Sequence, residues 1–115
     1  MSGLVPGTGV DAAGLSLTHE QLPADEVLSG TPTTGTQALA TLGGVEIGIW
    51  EMTPGTATDT EVDEVFVVLS GHATIAFDDP ALPDLTVGPG SVVRLAAGQR
   101  TTWTVTETLR KIYIA

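Results

Sequence analysis

A chain of 115 residues without cysteine has the length of one domain, and it carries no disulfide framework, zinc-thiolate site or thiol nucleophile. Its 42% hydrophobic content excludes a disordered chain, and its net charge of −10 argues against a nucleic-acid partner. No apolar run approaches the roughly 18 residues that cross a bilayer, and the opening "MSGLVPGTGVDAAG" lacks the basic and apolar regions of a signal peptide. The expectation is a cytoplasmic protein with no membrane partner.

In chain order, residues 1–29 read as an N-terminal arm, irregular or with one strand, and Pro23 to Leu28 holds no more than a short turn. Residues 30–115 read as one β-domain. From Gly44 the chain alternates short β-branched runs ("VEIGIWEM", "DEVFVVLS", "ATIAF", "LTV", "SVVRLA", "TTWTV", "LRKIYIA") with turn residues. The turns fall at Pro54-Gly55, Gly71, Asp78-Asp79-Pro80, Gly88-Pro89-Gly90, Gly98 and Thr106-Glu107. Many short strands with this punctuation predict an all-β sandwich or antiparallel barrel.

Charge is distributed unevenly. Residues 1–93 hold no Lys or Arg, while Arg94, Arg100, Arg110 and Lys111 fall in the last quarter. This predicts that some C-terminal cations meet acids from the middle strands, whereas Arg94 and Arg100 suit the surface. Strand alternation places Glu64, Phe66, Val68 and Ser70 on one side of their strand, and Asp63, Val65, Val67 and Leu69 on the other. Both sides are apolar beyond the first residues, so the outer one needs a cover. A second subunit or the arm would supply it, and a homodimer is the expectation.

Two spacings now carry a resemblance. Glu64, six residues and Gly71 in "EVFVVLSG" resemble the end of the first cupin motif. "GPGSVVRLAAG", Gly88 to Gly98, resembles the second, with Ala96 where proline is usual. More narrowly, "GIWEMTPG", "DEVFVVLSG" and "TTWTVTETLRKIYI" resemble the small cupins grouped with ureidoglycine aminohydrolase and the ethanolamine-utilisation cupin, over about residues 28–114. The resemblance implies a cupin jelly-roll barrel around a central pocket. Metal-dependent cupins place a His-x-His pair before the glutamate and a further histidine in the second motif. Here "TATDTEVD" precedes Glu64, and Thr101 takes the later position. The two histidines, His19 and His72, match neither place, and His72 reads as an exposed hairpin residue. The expectation is therefore no metal and no cofactor, with a weak carboxylate site at Asp59, Glu61 and Glu64 left open.

The resemblance also implies that Glu64 and Lys111 face the interior. Parity places Trp103 and Val105 beside Thr101. Phe66 shares the side of Glu64, and Tyr113 that of Lys111. Glu64 and Lys111 become the candidate catalytic pair, and Trp50, Phe66, Thr101, Trp103 and Tyr113 the candidate ligand contacts. Three functions fit these residues. The first is a cupin binding a small polar metabolite, oriented by Glu64 and Lys111. The second is a metal-independent isomerase or hydrolase, with Glu64 as general acid or base and Lys111 stabilising negative charge. The third is a structural or regulatory dimer with a filled barrel, in which Glu64–Lys111 is a structural ion pair and the tryptophans are core.

Overall fold

The computed structural model describes residues 4–115, and their regular elements are all strands. They are β1 (His19–Gln21), β2 (Val27–Ser29), β3 (Thr33–Leu42), β4 (Val45–Met52), β5 (Gly55–Thr60), β6 (Glu64–Phe77), β7 (Leu85–Val87), β8 (Val92–Leu95) and β9 (Arg100–Ile114). No helix among the described residues is long and apolar enough to cross a membrane.

Two long strands organise the barrel. Along one half of its length β9 pairs with β4 on one edge and the first part of β6 on the other. Along the other half it pairs with β5 and the second part of β6. β8 and β7 extend β6 outward, β3 and β1 extend β4, and β2 extends β5, always antiparallel. The result is a curled antiparallel sheet of jelly-roll type. Its alternating inward residues form the core: Phe66, Val68, Ala73 and Ile75 from β6, Val93 and Leu95 from β8, and Trp103, Val105 and Leu109 from β9. Full burial of each large side chain contributes about 1.5–3 kcal/mol.

Two expected turns are absent. Gly71 and Thr106-Glu107 lie inside continuous strands, where β6 and β9 bend together across register shifts between Val68 and Ala73. Gly71 there has φ 86°, and a Cβ would run into the Thr108 carbonyl. Glycine serves a bulge and a close backbone approach, not a hairpin. His72 is accordingly an exposed strand residue beside the bulge, next to Glu107. The sequence also gave no sign of β3 and β5, because their Thr, Gly and Ala residues mask the apolar alternation.

The arm carries two three-residue strands, β1 and β2, with a turn between them closed by Glu26 N–H to the Pro23 carbonyl. Part of it crosses the outer face of β3, β4 and β9. Arg110, on the outward parity of β9, is buried there: it donates to the carbonyls of Ala12 and Leu15 and, through Nε, to Glu51 Oε2 at 2.8 Å. His19 meets the other Glu51 oxygen at 2.7 Å. The arm leaves a row further along the sheet half open, where Ile112, Val67 and Val92 are cross-strand neighbours.

Candidate functional site

Lys111 lies between Trp50 of β4 and Val68 of β6 in the sheet register, so its inward side chain emerges over the core. Its ammonium donates to Glu64 Oε2 at 2.7 Å, and both side chains are at most 10% exposed. The same nitrogen is 4.3 Å from the Phe66 ring centre, 4.6 Å from Trp50 and 4.9 Å from Trp103. A buried ammonium loses its hydration; one carboxylate and three ring faces replace it. The rings support one another, with Trp103 5.5 Å from Trp50 and 5.6 Å from Phe66.

A second carboxylate sits deeper. Glu61 follows β5 in a loop whose backbone is tied to the turn before β9: Glu61 N–H donates to the Gln99 carbonyl, and Gly98 N–H to the Glu61 carbonyl. Its side chain is buried, and Oε2 accepts from Thr101 Oγ1 at 2.6 Å and from Trp103 Nε1 at 3.0 Å. Thr101 and Trp103, one strand period apart on β9, thus present two neutral donors to one oxygen.

These groups border a cavity of about 390 Å³, within the size range of small-molecule sites. Trp50, Met52, Ala57 and Trp103 give it an apolar wall, and Thr34 and Thr36 of β3 give it hydroxyls. Its charged residues are Glu26, Glu46, Asp59, Glu61, Glu64 and Lys111. Asp59 is exposed by surface area, yet partial desolvation of its carboxylate, with the charge of Glu61 next in effect, raises its pKa to about 6. Tyr113 donates to Glu46 Oε2 at 2.6 Å, and burial first, then this carboxylate, push its phenol pKa upward. Its ring lies against Gly48 on β4, where any Cβ would collide with it.

Of the residues singled out in the sequence, Glu64, Lys111, Trp50, Trp103 and Tyr113 line the cavity together. Phe66 and Thr101 stand one layer behind, Phe66 beneath Lys111 and Thr101 bonded to Glu61. Asp63 faces out toward Arg94, and Arg100 toward Asp78, so all four Lys and Arg residues meet an acid. Sequence reasoning took Asp59 and Glu61 only as metal ligands and missed Glu26 and Glu46. The alternation Ala57, Asp59, Glu61 carried the signal, but it becomes readable only once residues 55–60 are known to be a strand.

A curled antiparallel sheet of jelly-roll type around an inward cavity is the architecture of the cupins. The chain belongs to the EutQ-like cupin domain family, whose model matches residues 39–113. Among solved structures, a protein of unknown function from Rhizobium leguminosarum is 27% identical, over 70% of this chain and 78% of its own, with a TM-score of 0.63. Another protein of unknown function, from Pseudomonas syringae, is 25% identical over 91% of this chain and 46% of its own, at a TM-score of 0.76. The EutQ protein of Clostridium difficile shares the fold at a TM-score of 0.68 and 19% identity, over 92% of this chain and 83% of its own. No functionally curated protein matches the sequence.

The donor set does not fit the divalent metal of metal-dependent cupins. Among the described residues no three His, Asp or Glu side chains converge as a metal-binding group. His19 is committed to Glu51 on the outer face, and His72 lies beside Glu107 at the surface. Glu64 faces an ammonium instead.

Proposed function

We propose that this protein binds a small polar metabolite in the barrel cavity, with Glu64 and Lys111 orienting the ligand. The observation that carries this reading is the cavity itself. About 390 Å³ lies open beside a buried ion pair, with tryptophan rings and carboxylates in its lining. An apolar wall with a few fixed polar groups suits a metabolite with one apolar and one charged end. The open volume speaks against a filled barrel, although Phe66 and Val68 are fully packed behind it. Catalysis by Glu64 finds less support, because its Oε2 is held by Lys111 and no activated nucleophile stands beside it.

The test is a screen of small polar compounds of each charge sign, followed by tryptophan fluorescence and melting temperature. A binder should perturb Trp50 saturably and raise the melting temperature. Thr36→Trp, at an exposed lining position, should block it without touching the charged groups. If no compound of any charge changes either signal, the cavity is not a ligand site.

A further inference from the structure

We propose that the cavity recognises a cationic head group, an amine, amidinium or guanidinium, through the Oε1 atoms of Glu61 and Glu64. This rests on the reading of the cavity as a ligand site and adds the chemistry of its occupant.

The first observation is which oxygens are already used. Glu61 is 6% exposed, and its Oε2 takes both protein donors, Thr101 and Trp103. Glu64 gives its Oε2 to Lys111. Neither Oε1 has a hydrogen-bond partner among the described residues, yet no fully buried side-chain oxygen or nitrogen there lacks one. Both Oε1 atoms therefore open onto space, and the space their residues line is the cavity. Two carboxylates each hold one oxygen fixed by the protein and offer the other.

The second observation is the sign of the field. Five carboxylates and one ammonium line the cavity, and that ammonium is already matched by Glu64. Glu61 receives only neutral donors, so its charge is solvated in a buried place without a counter-charge. Asp59 stands in the same field: after burial, the charges of Glu61 and Glu26 raise its pKa, and the charge of Lys111 does not offset them. An anionic ligand would meet several unmatched acids and a lysine already engaged. A cation would supply the missing partner through charge-assisted hydrogen bonds, with its apolar body against Trp50. A bare metal ion is a poor occupant, because the acids do not converge on one point. An organic cation with separated N–H donors does not need them to converge.

The experiment uses probes matched in size but not in charge: benzylamine and benzamidine as cations, benzyl alcohol as the neutral form, and benzoate as the anion. Binding is measured at neutral pH and low salt by calorimetry and tryptophan fluorescence. The cations should bind at least about tenfold more tightly than the alcohol, with benzoate weakest. Glu61→Gln and Glu64→Gln should each lower cation affinity about tenfold or more and leave the alcohol unchanged. Asp84→Asn, an exposed acid outside the cavity, should change nothing. The order among probes on the unaltered protein decides the matter even if a glutamine variant does not fold. Binding of alcohol or benzoate at least as tight as the cations overturns the head-group assignment and keeps the cavity as a site. Unchanged cation affinity in a folded Glu61→Gln protein overturns the role given to that residue. Silence from all four probes overturns both readings.

Discussion

The Lys111 ammonium and the Glu64 carboxylate meet at 2.7 Å inside the barrel, although 46 residues separate them along the chain. Each is the other's only charged hydrogen-bond partner among the described residues, and both side chains are nearly covered. Removing one member of such a pair strands the other and typically costs about 3–5 kcal/mol. Lys111→Met should therefore lower unfolding stability by that order, or by less where cavity water reaches the stranded carboxylate. Asp63→Asn, next door but facing solvent, should be close to neutral. Denaturant unfolding in a cycle with Glu64→Gln checks the contact, and additive single effects would mean that the pair is not coupled.

Glu51 anchors the arm, and its titration should set acid stability. Burial alone would raise its pKa, but the hydrogen bonds and charges of Arg110 and His19 together leave it below the ordinary 4.5. A folded-state pKa below the unfolded value stabilises the fold above the unfolded pKa. That stability disappears as pH falls through the folded one. Glu51→Gln should thus lose stability at pH 7 and show less further loss on acidification than the unaltered protein. Hydrogen exchange should show faster opening around residues 12–19. Unchanged exchange in that segment would show that the network does not hold the arm.

Asp59 has the opposite sign. Its pKa is raised from 3.8 to about 6, so the folded state holds its proton more tightly and stability falls as pH rises through that window. Asp59→Asn should be more stable than the parent at pH 7, with the gain fading below about pH 4 as both forms become neutral. The gain will be modest, since the side chain keeps some solvent contact. Melting temperatures at the two pH values provide the measurement, and a variant less stable at neutral pH contradicts the assignment.

Two glycines of similar backbone conformation should respond differently to alanine. Gly43 has φ 56° with open space where a Cβ would stand, so Gly43→Ala bears only the cost of left-handed backbone, about 1–2 kcal/mol. At Gly71 the new methyl would also collide with the Thr108 carbonyl, where β6 and β9 bend together. Gly71→Ala should cost clearly more, and equal midpoints in urea would show that the bulge yields freely.

A homodimer is expected through the half-open row of Ile112, Val67 and Val92, continued by Val65 and Ile114. Val92 is 66% exposed in the single chain, an apolar surface that association would cover. Sedimentation at micromolar concentration should give twice 11.8 kDa, and Val92→Lys should shift it toward the single mass. A monomer at all concentrations would mean that the arm is cover enough.

The sequence by itself determined the all-β class and which residues of the β6 and β9 strands share a side. These follow from local rules: side chains alternate along a strand, and turn residues punctuate β-branched runs. The resemblance carried by the motif spacings then implied the barrel type, the inward side and the meeting of Glu64 with Lys111. Only the tertiary structure decided how far each strand extends. Gly71 and Thr106-Glu107 resemble turns locally, but pairing between β6 and β9 on both halves carries the chain through them as a bend. Only it brought Glu26, Glu46, Asp59 and Glu61 to one cavity: β5 lacks the apolar alternation that would reveal the faces of Asp59 and Glu61, and Glu26 of the arm and Glu46 of β4 join them only through the folding of the sheet. It also gave Arg110 to the arm, through the carbonyls of Ala12 and Leu15. Backbone acceptors belong to every residue, so nothing in the identity of those two marks them, and the contact exists only once the arm is folded over the sheet.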